Sequence, residues 1–297
     1  MSRPSDIGES RHALREDLEK LSSNNHFVEM KEDEFVKEAI GLVEKAQSRG
    51  VHLRILGSLG AYVRSVNNGY GDVFRSLERF GGGKPLFTDL DLLGYNKQKG
   101  DITKFLRELN FKPDALVNAM FGNRRLVFYH PDNKYHVDIF LNKLEFSHTV
   151  DFGDKPGSGR LELDYPTISA TDIALEKLQI HEINRKDLID LIALFLVHDV
   201  HEQFSKEVVD GGHIGKMLCD DWGFWYDATT NLGKLKPVID DLLKEGKITA
   251  AQSQMAMERV EKLLQLINKT PKSKGWEKRA KTGTSKRWYT EVEEIVR

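Results

Sequence analysis

The chain contains 297 residues with a formal net charge of −2, of which 39% are hydrophobic and 30% are charged. A chain of this length forms a large core and is predicted to contain two structural units. The near-neutral balance excludes a whole-molecule attraction to nucleic acid, so any such affinity must come from a local patch. The lone Cys219 excludes an intrachain disulfide.

The sequence contains no predicted targeting or membrane segment. The first five residues lead into a charged stretch without the apolar core of a signal peptide. The longest apolar stretch, residues 188–197, is interrupted by Asp190 and is too short to cross a bilayer. We therefore expect a cytoplasmic protein without a membrane partner.

Hydrophobic periodicity divides the first half of the chain into a helical segment and a group of short strands. Apolar residues recur at helical spacing up to Gly50, and the pattern then changes to the alternation of a strand. Pro131 cannot donate to a ladder and presets a turn, so the strands on either side are predicted to form a hairpin. The predicted elements are helix 10–49, strand 51–56, a helix from residue 61, a strand ending at residue 94, helix 102–109, and strands 124–129 and 135–141.

The second half of the chain is predicted to be helical after a loop at residues 151–160. Asn184 is expected to cap one of its helices, with Asp187 in the first turn. The predicted helices cover 171–183, 184–200, 208–218, 235–244 and 250–268. The predicted fold class is α+β, with an N-terminal helical segment at 1–50, a mixed β-sheet lobe at 51–165 and an all-helical C-terminal lobe at 166–297.

Three aspartates lie on strand-like stretches. Alternate side chains of a strand share one face, so Asp89 and Asp91 point the same way, with Cα atoms roughly 6.6 Å apart. Asp138 lies between Val137 and Ile139, which are expected to face the other side of the sheet. Crowded carboxylates are costly unless a hard cation neutralises them, and Mg²⁺ prefers oxygen ligands. The sequence therefore predicts a Mg²⁺ site at these three aspartates; a solvent-facing strand residue is the alternative for Asp138.

An apolar strand delivers Gly57 and Ser58 to the start of a predicted helix. Small residues let backbone N–H groups approach an anion, the helix N-terminus favours negative charge, and Ser58 adds a hydroxyl donor. Beside metal-binding aspartates, such a phosphate site supplies the parts for nucleotidyl transfer, with a third carboxylate to position or deprotonate a hydroxyl. The alternative is a tight strand-to-helix turn.

These motifs stand in the order Gly57-Ser58, Asp89-x-Asp91 and Asp138. Over residues 51–141 this order resembles the nucleotidyltransferase superfamily that shares the DNA polymerase β palm. The resemblance implies a nucleotidyltransferase-type catalytic domain at 51–165. It also implies metal-binding roles for the three aspartates and phosphate contact for the glycine and the serine.

Two further motifs are similar to the helical lobe of abortive-infection-type nucleotidyltransferases. Lys177 precedes Leu178, and Arg185 is followed by Asp187 and Asp190. The resemblance implies that Lys177 and Asp187 lie beside the nucleotide, although the interval between the motifs is shorter here. The alternatives are a solvated lysine and an acid that stabilises the first turn of a helix without a further function.

One departure from the family pattern lies between the glycine-serine bend and the first aspartate. Gly57 and Asp89 are separated by 32 positions (89 − 57), whereas the family joins these motifs by a much shorter segment. Residues 66–85 are therefore predicted to be an insertion at the mouth of the site, of the kind that serves as a lid or recognition loop. If they are not, the glycine-serine assignment is wrong.

Near the C-terminus, residues 272–289 interleave lysines and arginines with Trp276, Trp288 and Tyr289. Cations together with stacking rings suit RNA or single strands. They equally suit a segment that packs its rings against the protein while its lysines stay hydrated. RNA contact through this segment is one of these two alternatives.

The expected function is a Mg²⁺-dependent transfer of a nucleoside monophosphate from an NTP to an acceptor hydroxyl, with release of pyrophosphate. The acceptor stays open among RNA, a small molecule such as an antibiotic, and a protein side chain. The alternative from another class is a non-catalytic module that binds a nucleotide or RNA, as a sensor or as one component of a toxin-antitoxin pair.

Overall fold

The structure is a computed structural model that describes residues 30–79 and 86–291. Its largest sheet has five strands in the order β1-β2-β5-β4-β3. β2 and β5 are parallel, and the other neighbouring pairs are antiparallel. The sheet is therefore mixed, as predicted. Its strands are β1 Leu53–Ile55, β2 Leu90–Gly94, β3 Lys112–Pro113, β4 Arg125–Tyr129 and β5 His136–Leu141.

The register between β2 and β5 places two of the predicted aspartates side by side. Asp91 pairs with Asp138, while Leu90 and Leu92 of β2 pair with Val137 and Ile139 of β5. These four apolar residues are fully buried and hold the two strands in this register. The predicted hairpin around Pro131 is confirmed, since β4 and β5 are antiparallel neighbours.

Helices of the first half cover the sheet. The predicted helix 10–49 is confirmed over α1, whereas its residues 1–29 lie outside the described part of the chain. The helix expected from residue 61 begins earlier, at Gly57, which puts the glycine and serine in its first turn. The helices are α1 Glu32–Ser48, α2 Gly57–Asn67, α3 Gly71–Ser76, α4 Lys99–Glu108 and α5 Ala115–Phe121.

The second half is mainly but not wholly helical. A two-stranded antiparallel sheet, β6 with β7, precedes the first helix, and a two-stranded parallel sheet, β8 with β9, lies between helices. These elements are β6 Lys143–Glu145, β7 Thr149–Asp151, α6 Ala170–Leu178, α7 Arg185–Val197, β8 Asp199–His201, β9 Val208–Asp210, α8 Gly211–Leu218, α9 Trp222–Lys244, α10 Ala250–Lys269 and α11 Lys274–Ala280.

The prediction of an all-helical C-terminal lobe is therefore wrong at β8 and β9. The last residues of the predicted helix 184–200 belong to β8, and the first residues of the predicted helix 208–218 form β9. Val200 and Val209 are fully buried as partners in the parallel ladder, where branched side chains pack well. Asp210 then accepts a hydrogen bond from the His213 N–H at 2.9 Å and caps α8, which begins after β9.

Side-chain caps set the other helix starts. Asn184 Oδ1 accepts from the Asp187 N–H at 3.2 Å, so the predicted cap of α7 is confirmed. The Asp221 side chain caps α9, which begins thirteen residues before the predicted start at residue 235 (235 − 222). None of the described helices is long and apolar enough to cross a membrane.

Part of the predicted insertion is packed rather than open. In the described residues 66–79, Phe74 and Leu77 are buried in the core shared with the sheet, and α3 carries Phe74. Apolar burial of this kind fixes the segment as part of the folded domain. Residues 80–85 lie outside the described part of the chain.

The rings of the C-terminal basic segment pack against the protein. Trp288 Nε1 donates to Asp227 at 3.0 Å, and the Tyr289 ring stacks on His181 with centroids 3.6 Å apart. Trp276 meets Trp225 edge to face at 5.0 Å. These contacts favour the packing alternative for residues 272–289 over a stacking platform for RNA bases.

Asp227 joins this segment to the helices. Its buried carboxylate accepts from His148 Nε2 at 2.8 Å, His181 Nδ1 at 2.9 Å and Trp288 Nε1. Burial opposes ionisation, but these three hydrogen bonds favour it more, so the pKa of Asp227 is lowered. A lowered carboxyl pKa stabilises the fold above the pKa of the unfolded chain, and this stabilisation is lost as pH falls through the folded value.

We expect Asp227→Asn to lower Tm at pH 7, because one amide oxygen cannot satisfy three donors. Leaving buried donors unpaired costs about 1–3 kcal/mol. The difference from the unmodified protein should begin to shrink below about pH 4, where the carboxyl of the unfolded chain becomes protonated, and it should disappear as pH falls through the lowered folded value. Thermal unfolding at both pH values measures it, with exposed Asp241→Asn on the same helix as the control. Equal Tm values for the two variants at pH 7 would contradict the role given to Asp227.

Candidate functional site

One cleft of about 640 Å³ collects the predicted site residues except Asp138. It lies where β2 begins, where α2 begins, and beside α6 and α7. The predicted residues that line it are Gly57, Ser58, Asp89, Asp91, Lys177 and Asp187.

Asp91 carries the strongest electrostatic strain in this cleft. Burial raises the pKa of its carboxyl well above the usual range, and the neighbouring carboxylates Asp89 and Asp138 raise it further, against the opposing effect of Lys177. His136 Nε2 lies 3.8 Å from an oxygen of Asp89 and 3.8 Å from an oxygen of Asp138. The three predicted aspartates are therefore electrostatic neighbours.

Asp138 differs from the other two aspartates because an arginine side chain forms a salt bridge with it. Arg125 on β4 donates two hydrogen bonds to it, one to each carboxylate oxygen. Such a forked pair is stronger than a single hydrogen bond between neutral groups. The alternative of a solvent-facing Asp138 is wrong, because only 2% of this residue is exposed.

The donor set fits a divalent cation at Asp89 and Asp91 rather than at all three aspartates. Asp89 directly precedes β2 and Asp91 lies on it, half-buried and with a raised pKa, so a cation bound between the two carboxylates would lower their mutual repulsion. Among the described residues no group of three or more His, Cys, Asp or Glu side chains is arranged to hold a metal ion. The pairing of Asp138 with Arg125 accounts for the missing third donor.

The glycine-serine bend lies directly against Asp91. Gly57 has φ +68°, a conformation that favours glycine, and a Cβ built there would lie 3.2 Å from Asp91 Oδ2. The preceding residue, Leu56, donates its N–H to the Asp91 carbonyl at 3.2 Å. The chain thus passes from β1 into α2 alongside β2, and the first turn of α2 meets the carboxylates.

The backbone N–H of Gly57 is already hydrogen-bonded to a carboxylate of the chain. The Gly57 N–H, predicted to contact a phosphate, donates instead to Glu176 Oε2 at 3.0 Å. Burial raises the pKa of Glu176, while Lys177 and this hydrogen bond oppose the rise. Helix N-termini bind anions because their backbone N–H groups point outward without helical partners and the helix dipole favours negative charge there. Glu176 therefore supplies an internal anion at the predicted phosphate site.

Lys177 is the central cation of the cleft. Its Nζ lies 2.9 Å from Asp187 Oδ1, 3.2 Å from Asp190 Oδ2 and 3.4 Å from Glu176 Oε1. Burial lowers the pKa of Lys177, but the three carboxylates outweigh it, and the net shift is upward. The alternative of a solvated lysine is wrong, since only 5% of the residue is exposed.

Sequence reasoning missed three charged residues of this region. Arg79 Nε donates to Asp190 Oδ1 at 2.8 Å, which ties the segment at residues 66–79 to α7. Glu176 directly precedes Lys177 on α6. Arg125 lies on β4, the strand next to β5, which carries Asp138. A buried charge needs a partner. This rule predicts that each buried charge of the cleft has an oppositely charged partner, but only the three-dimensional structure identifies the partners.

Comparisons with protein-family models, with curated proteins and with solved structures find no match to this chain. The geometry of the cleft and the motif resemblance are therefore the features that bear on function.

We expect Asp91→Asn to raise Tm in the absence of divalent cations. Because the folded pKa of Asp91 is raised, ionisation costs stability as pH rises above the unfolded value. The gain at pH 8 should be at least about 2 °C, the shift that ~1 kcal/mol gives in a chain of this size, and it should shrink toward pH 4. Scanning calorimetry measures it, and exposed Asp154→Asn in the loop after β7 is the control. A lower Tm for Asp91→Asn at pH 8 would contradict the electrostatic strain.

We expect Lys177→Met to destabilise the protein strongly. Removing one partner of a buried ion pair costs about 3–5 kcal/mol, because the remaining carboxylates lose their neutralising charge. Denaturant unfolding measures the loss. Lys262→Met removes an exposed lysine that also pairs with an aspartate, and it should cost less than about 1 kcal/mol. Similar losses for both variants would show that Lys177 is not central to the cleft.

Proposed function

We propose that the protein is a nucleotidyltransferase that moves a nucleoside monophosphate from an NTP to an acceptor hydroxyl and releases pyrophosphate. One observation carries the proposal. A Cβ added at Gly57, in the first turn of α2, would lie 3.2 Å from Asp91 Oδ2, so the N-terminus of α2 lies close to the half-buried Asp91 carboxylate. A phosphate-binding element and a cation-binding element therefore share one cleft.

In this proposal the chain's residues divide the triphosphate between them. Ser58 donates its hydroxyl to a terminal phosphate, and the first turn of α2 adds the field of its N-terminus. Lys177 supplies positive charge from α6, and Asp187 keeps its ammonium in place. Asp89 and Asp91 would hold Mg²⁺, which when bound supplies charge neutralisation for the triphosphate and the departing pyrophosphate.

The proposed reaction forms one bond and breaks one. The acceptor oxygen bonds to the α-phosphorus, and the bond from that phosphorus to the bridging oxygen breaks, so that pyrophosphate leaves with the electron pair. The acceptor proton passes to a carboxylate, for which Asp138 is the candidate. Arg125 donates to both oxygens of Asp138 and its positive charge favours the ionised carboxylate, so the proton transfer would be favoured only when Arg125 moves away.

The main alternative is a module that binds a nucleotide or RNA without turnover. The half-buried Asp91 with its raised pKa weighs against it, because a pure binder gains nothing from confined negative charge next to a phosphate site. An enzyme that modifies a small molecule would share the same cleft and differ in its acceptor. RNA contact through residues 272–289 is less favoured, since their rings are packed against α9 and His181. A cytoplasmic location stays part of the proposal.

We expect Asp89→Asn and Asp91→Asn each to lower Mg²⁺-dependent pyrophosphate release at least about 100-fold. Outer-shell changes at metal sites cost 10–100-fold, and loss of a direct ligand charge should cost no less. The assay follows pyrophosphate from each NTP in the presence of total RNA, protein or candidate small molecules. The matched control is Asp154→Asn, an exposed change of the same chemistry.

The same assay separates the alternatives. Turnover by the unmodified protein, lost in both variants, supports the enzyme. Nucleotide uptake in calorimetry with no pyrophosphate from any NTP supports the binding module. Wild-type transfer by a variant that lacks both carboxylates would refute the site assignment.

A further inference from the structure

Four apolar side chains, here called the apolar wall, line the otherwise charged cleft. Leu86, Phe87, Phe146 and Ile180 line it, and each of them is partly exposed. Partly exposed large apolar residues inside a cleft commonly mark a ligand site, because their remaining surface is free to be covered. A charged triphosphate gains no stabilisation from contact with apolar side chains. The apolar wall is therefore expected to contact another part of the ligand.

Phe146 is the ring of this wall for which the described part of the chain shows no stacked partner. Phe87 stacks on Phe35, with centroids 5.8 Å apart and planes 16° apart. Phe146 meets Phe140 at 5.6 Å with planes 79° apart, and among the described residues this edge-to-face contact is the one ring contact found for it. A ring with an edge contact retains surface for stacking.

The turn that carries Phe146 is held firmly. Ser147 Oγ accepts from the His181 N–H at 3.1 Å, which fixes the turn between β6 and β7 to the end of α6. The Ser147 carbonyl accepts from the Thr290 N–H at 3.0 Å, so the C-terminal segment supports the turn from another side. The packed rings of that segment therefore serve the cleft indirectly, by fixing the position of Phe146.

Proximity along the chain relates the apolar wall to the Gly57 end of the cleft. Glu176 Oε2 accepts a hydrogen bond from the Gly57 N–H at 3.0 Å, and Ile180 follows Glu176 by four residues, two beyond Leu178, where α6 ends. The cleft therefore combines polar groups and apolar groups, as the triphosphate and the base of a nucleotide require.

We propose that the wall around Phe146 binds the nucleobase of the NTP by stacking. This inference rests on the proposed function and adds to it the subsite that holds the base. Phe146 is the stacking platform, and Ile180 extends its apolar surface. Stacking on a ring tolerates every base, because each base has a π-face.

The test compares nucleotide with triphosphate alone. Calorimetry with Mg²⁺ gives Kd for the tightest-binding of ATP, GTP, CTP and UTP, and for inorganic tripolyphosphate. Phe146→Ala should weaken NTP binding roughly tenfold or more, and should leave tripolyphosphate binding within about twofold. Phe146→Tyr keeps the ring and should keep NTP affinity. Phe204→Ala, an exposed phenylalanine outside the cleft, is the matched control.

Each outcome decides between the two levels of the proposal. Unmodified protein that binds NTP and tripolyphosphate equally, or Phe146→Ala with unchanged NTP affinity, overturns the base site and leaves the proposed function standing. Unmodified protein that binds neither ligand overturns both. If Phe146→Ala does not fold, Phe146→Leu replaces it, and equal NTP affinity of the Leu and Tyr variants overturns the stacking role.

Discussion

Negative charge packed into a buried cleft is the constraint on which the rest of this structure depends. Asp91 is half-buried beside two other aspartates, and a second group of carboxylates surrounds Lys177. Buried charges persist only when they are paired. Arg125, Arg79 and Lys177 supply the pairing from three separate parts of the chain, so the cleft forms only when the strands and helices are assembled together.

The compensation is incomplete at Asp91. Lys177 lowers its pKa, but burial and the neighbouring aspartates keep the pKa raised. The residual repulsion lowers the stability of the metal-free protein, and binding of a divalent cation would reduce this repulsion. Functional sites commonly store unfavourable interactions that the surrounding fold tolerates. The repulsion at Asp91 thus links the expected gain in stability on its neutralisation to the expected loss of activity.

Chain regions far apart in sequence support the two ends of the cleft. At the end formed by the first turn of α2, the Gly57 N–H donates to Glu176 of α6. At the apolar end, the C-terminal segment holds the turn of Phe146 through Ser147 and its ring contacts. A nucleotide spanning the cleft would touch both the sheet and the helices that follow it. The packed basic segment acquires a structural role in this arrangement that its composition alone did not suggest.

Local physics in the sequence determined the parts of the site. The apolar alternation located the strand that carries Asp91, the cap at Asn184 set the start of α7, and the glycine-serine bend marked the start of a helix. Such features depend on neighbours within a few residues, so a sequence reveals them. The short strands β8 and β9 escaped prediction because their pairing is between separate segments.

Tertiary structure alone decided which charges meet. The parallel register sets Asp138 beside Asp91, yet Arg125 from the next strand binds it, and Glu176 binds an amide that a phosphate was expected to reach. These pairings follow from strand order and helix packing rather than from spacing along the chain. The sequence by itself therefore determined the chemical groups of the cleft. Only the assembled fold decided how they neutralise one another, because electrostatic energy depends on distances in space and on burial.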